Sequence, residues 1–390
     1  VSLDPSLAED GLSLQILNNV ADGLVGYDRK GNLENRLAEN VTVSKDRRRY
    51  EFELKKGIFW SDGQPILAQH FVFGLRRALA PSTRSKLAPL LMSIRGAAAF
   101  HAGKVGHEDL GVISEKNNLV IELEYPTPYF IQTLTLPVAL PIRSDVLDTH
   151  QAVWPENGPV TGPYRIISHQ LDQKIVLEKN PRYWGVPPQV GRIELLIVRD
   201  ESTAAYLFEK GKLDLLTRVS MIDYLRLKKE NRVETYPFLS TYYLAFNCKK
   251  GPFQDRHLRR ALSGSIQRQE IASILGSGET AAWGWIPPVL EGYVPYQSPA
   301  KAFADSIHWV RKQAKKYPPI LTAFDSGTRN SRILEKVQYD VRETLGLELS
   351  LLQLDWKSYL KKVQTDAPPL FRMGWMAPFR DPISHLEVFK

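Results

Sequence analysis

Leu54-Lys55-Lys56-Gly57-Ile58-Phe59-Trp60-Ser61-Asp62-Gly63-Gln64-Pro65, inside the segment 37–81, is the stretch whose reading decides the fold. It reads as the end of a strand, a glycine-broken turn, a tryptophan, and a second turn, Ser61-Asp62-Gly63, ahead of Pro65. A helix is expected from Ala68, because Phe71, Val72, Leu75 and Leu79 recur at helical spacing and Pro81 stops it. Upstream, Tyr50-Glu51-Phe52-Glu53-Leu54 alternates apolar and polar residues as a half-buried strand does. Val41-Thr42-Val43-Ser44 supplies its partner and Lys45-Asp46-Arg47 the turn, so residues 32–53 form a β-hairpin region.

Working outward, residues 118–124 are another strand, ended by Pro126 and Pro128, and 129–136 a short helix. Residues 164–167 and 174–178 read as an antiparallel pair, 192–198 as strand, and 202–210 as a helix stopped by Gly211. The later pattern differs. Residues 255–274 read as one basic amphipathic helical region. A strand at 320–324 precedes a helix over 329–345, which carries Ile333, Leu334, Val337, Val341 and Leu345 on one face and is closed by Gly346. A strand over 347–354 follows, completing a right-handed βαβ unit. Hairpins first and βαβ units later give an α/β protein with two lobes, which the length of 390 residues accommodates. No internal repeat or low-complexity segment is present.

The composition, 43% apolar and 24% charged, is that of a folded globular chain. No run approaches the roughly 20 apolar residues of a membrane helix. Val1-Ser2-Leu3-Asp4-Pro5 has neither a charged nor an apolar leader region, so the expectation is a cytosolic protein or one whose targeting segment has been removed. Cys248 is the only cysteine, which excludes an intramolecular disulfide and a multi-cysteine zinc site. The eight histidines include no i,i+4 pair, and no nucleophile, zinc or phosphate-loop motif occurs. No catalytic residue, cofactor or metal is therefore expected, and the chain is not read as an enzyme. The net charge of +8 is spread over short clusters such as Arg47-Arg48-Arg49, Arg76-Arg77, Lys228-Lys229 and Lys315-Lys316. None is interleaved with aromatics as in a single-strand binder, so nucleic acid is not expected as a partner.

The opening stretch resembles the segment that marks the periplasmic oligopeptide-binding proteins of ABC transporters, solute-binding protein family 5. Other segments resemble the same family in order along the chain: Leu3-Asp4-Pro5 with Ala21-Asp22-Gly23-Leu24, Gly158-Pro159-Val160-Thr161-Gly162-Pro163-Tyr164, Leu177-Glu178-Lys179-Asn180-Pro181-Arg182-Tyr183-Trp184, Gly211-Lys212-Leu213-Asp214, Thr241-Tyr242-Tyr243-Leu244-Ala245-Phe246-Asn247, Pro252-Phe253-Gln254-Asp255 and Arg372-Met373-Gly374-Trp375-Met376-Ala377. The resemblance implies a two-lobed periplasmic-binding-protein fold with an extra β-rich subdomain. Residues 1–23 and 154–239 would form the first lobe, 24–153 the extra subdomain, and 240–390 an incomplete second lobe, since family members continue past the Gly-Trp motif with a C-terminal return to the first lobe. It further implies a peptide or peptide-like ligand enclosed between the lobes and handed to an ABC permease. The setting would be periplasmic or extracytoplasmic, with membrane contact only through the permease or a removed lipid anchor.

The ligand-binding residues expected on this basis are Glu9, Asp10, Gly11, Tyr243, Trp356, Arg372, Gly374, Trp375, Met376 and Ala377. Simpler readings stand beside several of them. Glu9-Asp10-Gly11 fits a segment that pairs with an extended ligand in β fashion, or an exposed acidic turn. Arg372 suits a ligand carboxylate or an inter-strand ion pair. Trp375 suits stacking on a ligand or core packing, and Met376 wall packing. Asn247 reads as a hinge or backbone-satisfying residue, and Trp60 and Trp184 as structural. Two departures from the family pattern matter. Peptide-binding members carry an Asp after the Gly-Trp pair that meets the peptide ammonium, and Pro378 occupies the matching position. Leu87 stands where the family has a cleft tyrosine. An enclosed ammonium without a counter-charge costs several kcal/mol, so free-amine peptides are expected to bind weakly or not at all. The alternatives are a non-peptide ligand in the same fold, or a truncated family member acting as an interaction protein.

Overall fold

The computed structural model describes residues 2–150, 154–290, 293–295 and 300–389. The expected subdomain boundary at residue 153 falls outside them. The chain divides into two compact units, Val1–Val198 and Arg199–Lys390.

In the first unit, helix α1 (Gly11–Val20) starts at Asp10, whose carboxylate accepts hydrogen bonds from the Leu12 and Ser13 amides. Its buried Ile16, Leu17 and Val20 meet Leu3, Val160, Tyr164, Ile166, Ile175 and Leu177 in one apolar core. The last four come from or adjoin a three-stranded antiparallel sheet, β7 (Tyr164–Gln170), β8 (Lys174–Lys179) and β9 (Arg192–Leu196). Each fully buried Leu or Ile stabilises such a core by roughly 1.5–3 kcal/mol. This core joins the N-terminal segment to Val160 and strands β7 and β8.

Between these segments lies β-rich structure. A small ribbon pairs β1 (Val25–Tyr27) with β2 (Leu33–Asn35). A four-stranded antiparallel sheet runs β3-β4-β6-β5, from β3 (Ala38–Val43), β4 (Arg49–Leu54), β5 (Val112–Glu115) and β6 (Asn118–Glu122). The expected hairpin is β3–β4, with Arg47 at φ 56° in its turn. Helix α2 (Ala68–Leu79) packs against this sheet through Phe71, Val72, Leu75 and Leu79. Short helices α3 (Ala97–His101), α4 (Phe130–Thr133) and α5 (Ser144–Thr149) complete the unit.

The quoted stretch forms a polar-capped knot. Trp60 is 2% exposed and its indole donates to His70 Nδ1 at 3.1 Å. The Leu67 amide donates to the same nitrogen at 3.1 Å, so the ring proton sits on Nε2. Arg143 lies over the Trp60 ring and pairs with Asp62 and Asp145 at 2.5 Å each. Burial, with Arg143 adding to it, pushes the His70 pKa down to about 4. A second buried pair, Arg77 bidentate to Asp4 at 2.7 Å, ties the N-terminus to α2.

The second unit opens with helices α6 (Glu201–Glu209) and α7 (Met221–Lys229). It is built on a four-stranded sheet in the order β10-β13-β11-β12: β10 (Ser240–Phe246), β11 (Ile320–Asp325), β12 (Leu349–Leu354) and β13 (Leu370–Met376). β11 runs parallel to both β12 and β13, and β10 is antiparallel to β13. The βαβ unit read from sequence is β11–α11–β12, with α11 spanning Thr328–Leu345 and capped by Gly346 at φ 68°. Helix α12 (Trp356–Asp366) returns the chain to β13, and α13 (Pro382–Leu386) follows.

The expected single helical region over 255–274 is two helices, α8 (Arg256–Ser265) and α9 (Arg268–Leu275). One tertiary and one local set of bonds hold the break. Asp340 of α11 accepts from the Gln267 amide at 2.9 Å, and Arg268 caps α8 by donating to the Ser263 carbonyl at 2.8 Å and to that of Ile266. Helix α10 (Ala300–Gln313) lies antiparallel on α8, since His257 meets Trp309 at one end and Gly264 meets Phe303 at the other. Phe253, Leu258, Leu262, Val310, Leu334, Val337 and Leu370 are among the residues of the core below.

Candidate functional site

Strands β10 and β13 bring most of the expected site residues together. Their register sets Thr241 opposite Trp375, Tyr242 opposite Gly374, Tyr243 opposite Met373 and Leu244 opposite Arg372. Because side chains alternate, Tyr242, Leu244, Arg372 and Gly374 share one face, and Thr241, Tyr243, Met373 and Trp375 the other.

On the first face Arg372 donates through Nη1 to Asp325 of β11 at 3.0 Å and lies 4.8 Å over the Tyr242 ring. Both charged side chains are largely buried, at 20% and 16% exposure. A Cβ at Gly374 would come 3.7 Å from Arg372 Nη2, an ordinary contact, so the corner has room for a small side chain. Burial pushes the Tyr242 hydroxyl up to about 12, against the pull of the Arg372 charge. Tyr359 of α12 donates to the Arg372 carbonyl, fixing the strand from the side. Of the two readings of Arg372, the structure realises the ion pair between strands. One guanidinium edge is spent on Asp325, and buried Nε has no partner among the described residues.

The second face is aromatic. Tyr243 meets Trp285 edge to face, with centroids 4.6 Å apart. Thr241 Oγ1 donates to the Trp285 carbonyl at 2.9 Å. The Trp285 indole donates to the His385 carbonyl, and the Trp375 indole to the Ser384 carbonyl at 2.8 Å. Both tryptophans thus fasten α13 beside the strands. Met376 is 46% exposed, Gly374 is exposed, and Ala377 is buried with its amide on the Leu239 carbonyl. Asp381 caps α13 by accepting from the Ile383 amide at 2.9 Å, which leaves Pro378 in the loop with no charge of its own.

Trp356 opens α12 and is 53% exposed, 6.1 Å from the Tyr359 ring. Asn247 satisfies backbone, donating to the Ala367 carbonyl and accepting from the Lys249 amide. In the first unit, Gly11 begins α1, and Asp10 is occupied as its cap and by the Ser13 hydroxyl at 2.6 Å. Burial raises the Asp10 pKa, but these hydrogen bonds outweigh it and hold the carboxyl below its ordinary value. Glu9 pairs with Lys86 at 2.7 Å. The side chains of this triplet are therefore committed locally, and its extended backbone ends at Asp10.

The sequence reading did not single out Trp285 or Asp325. Trp285 sits in a Gly/Pro-bearing loop without periodicity. Asp325 ends a strand just before Ser326-Gly327, where a polar residue is unremarkable; only its pairing with Arg372 gives it meaning. Among the described residues no group of acidic, histidine or cysteine side chains is arranged to hold a metal.

Comparison with known proteins agrees with this architecture. The protein OppA of Bacillus subtilis, named as oligopeptide-binding, is 28% identical over the whole chain and 75% of its own length. YgiS of Escherichia coli, named as a probable deoxycholate-binding periplasmic protein, is 29% identical over the whole chain and 76% of its length. The solved structure of the Escherichia coli murein tripeptide binding protein MppA superimposes with a TM-score of 0.85 at 27% identity, covering all of this chain and 80% of MppA. The pattern of bacterial extracellular solute-binding proteins, family 5 (Middle), matches residues 32–390, and the chain belongs to that family.

Proposed function

We propose that this protein is an extracytoplasmic solute-binding protein that captures a peptide or peptide-like ligand between two lobes and delivers it to an ABC permease. Family membership carries the reading, and the names of relatives, binding proteins for oligopeptides and a murein tripeptide, support it. On the family resemblance residues 1–23 and 154–239 belong to the first lobe, 24–153 to its β-rich subdomain and 240–390 to the second lobe, although 199–239 fall in the second compact unit. Capture needs no bond-making, and the role is binding rather than catalysis. The compartment is the periplasm or its equivalent outside the membrane.

Tyr243 and Trp375 on one face of the β10–β13 pair, Gly374, Met376 and the Asp325-held Arg372 on the other, and Ala377 in the loop after β13 are the ligand contacts of this reading. Trp356 adds an exposed ring, and Glu9, Asp10 and Gly11 contribute from the other lobe. Pro378 favours ligands without a free amino terminus, because the loop offers an ammonium no carboxylate. The same feature favours a second reading, an anionic non-peptide ligand, which the likeness to YgiS also supports.

Native mass spectrometry of the purified protein, incubated with matched free-amine and N-acetylated peptide pools and with deoxycholate, tests this. Retained N-acetyl peptides are expected, with a rise in melting temperature. At a ligand concentration 100 times Kd the stabilisation is about 2.7 kcal/mol. Preference for free-amine peptides would overturn the Pro378 argument. Deoxycholate alone retained would favour the second reading, and no mass gained from any pool would reject capture.

A further inference from the structure

The charge of this chain is unevenly placed. Residues 1–198 hold 22 Lys and Arg against 22 Asp and Glu, while residues 199–390 hold 29 against 21, so the formal charge of +8 belongs to the second unit. Part of that excess is brought together in the fold from two separate stretches of sequence, α8 and the end of α10. Antiparallel α8 and α10 meet where the His257 and Trp309 rings stand 5.0 Å apart. Around that contact Arg256 and Arg260 project from α8, and Lys312, Lys315 and Lys316 from the end of α10 and the turn beyond it, while Arg311, two residues after Trp309, leaves α10 on the opposite side. All five are exposed, and none forms an ion pair among the described residues. Lys316 makes only a long contact to the Gln313 side chain.

A helix face that merely meets water normally interleaves both signs at i,i+4. Here α8 carries no acid within its span, and α10 carries Asp305 alone, one turn before Trp309. Asp255 is spent capping α8 and accepting from Tyr317. Arg256, Arg259 and Arg260 also stand in the first turns of α8, where the helix dipole disfavours positive charge. Arg259 is explained by its bonds to the Phe253 and Gln254 carbonyls; Arg256 and Arg260 have no such explanation. Trp309, 37% exposed, stands among these cations as an amphipathic ring.

We propose that the α8–α10 face docks this protein on a membrane surface bearing anionic phospholipid headgroups. Five unpaired cations supply the attraction, at roughly 1 kcal/mol for each Lys or Arg near such a surface. Trp309 supplies a side chain suited to the headgroup layer, where indoles concentrate. Docking by this face holds the protein at the bilayer without any inserted segment, and it is independent of which ligand the protein carries.

Co-sedimentation of the full chain with vesicles tests it, comparing pure phosphatidylcholine with phosphatidylcholine containing phosphatidylglycerol, at low and physiological salt. Binding is expected only to the anionic vesicles, falling as salt rises. Combined Lys312→Ala, Lys315→Ala and Lys316→Ala should weaken it roughly 100-fold. The same three positions changed to Glu should weaken it further, and Trp309→Ala should remove a part that salt does not affect. Reversing Lys357, Lys361 and Lys362 on α12 is the charge-matched control, with melting curves confirming that every variant folds. Equal binding to both vesicle types, equal loss in the α12 control, or retention on polyglutamate with none on anionic vesicles would each overturn the proposal, the last in favour of an acidic protein partner.

Discussion

Arg372 shows how much a single side chain's meaning depends on a partner far away in sequence. Its guanidinium is planar and always charged, and Asp325 is its counter-charge. Changing Asp325 to Ala leaves a largely buried cation alone, which costs about 3 kcal/mol. Urea unfolding of Asp325→Ala is expected to show that loss, while Asp325→Ala combined with Arg372→Met recovers most of it; equal midpoints for wild type and Asp325→Ala would show the pair contributes nothing. His70 makes a different statement. With its pKa near 4 in the fold against 6.5 when free, the unfolded chain binds more protons between those values. Stability therefore falls as pH drops from 6.5 towards 4, because protonating Nδ1 evicts the Trp60 and Leu67 donors. Replacing His70 with Gln should flatten that part of the melting-temperature profile, and an unchanged slope would assign it to other groups.

Helix α2 is legible from its apolar spacing, yet one of its residues runs against helical preference. Gly74 is ordinarily worse in a helix than Ala by roughly 1 kcal/mol. Here an added Cβ would sit 2.5 Å from the Leu140 carbonyl oxygen, part of a backbone segment that α2 packs against. Gly74→Ala is thus expected to destabilise by about 1–3 kcal/mol despite the better propensity, read from a lowered melting temperature. A stabilised variant would mean the segment yields without cost. The same scale shows where sequence reading stops. Local periodicity located α2, α11 and the hairpin strands. It merged α8 with α9, because the Asp340 carboxylate that holds the Gln267 amide acts from 73 residues away and the local Arg268 cap changes no apolar position, so neither leaves a trace in the period.

At the scale of the whole chain, family resemblance and the order of hairpins and βαβ units made the architecture readable. The β10–β13 pairing was latent in two segments already marked as similar to the family; it puts Tyr243 and Trp375 on one face and Gly374 and Met376 on the other. What escaped were contacts that only the tertiary fold creates: Trp285 against Tyr243, Asp325 under Arg372, and a charge of +8 gathered into one unit. Dispersed lysines look like ordinary solvated residues until two antiparallel helices place them together.

The manner in which Trp285 and Trp375 hold α13 has an evolutionary consequence. Both indoles donate to main-chain carbonyls, those of His385 and Ser384, which every amino acid presents alike. The fastening is therefore blind to the identity of the residues it fastens. Substitutions at the less buried positions of α13 can accumulate while the peg-like tryptophans keep the helix in place, whereas fully buried Ser384 and His385 are held by packing as well.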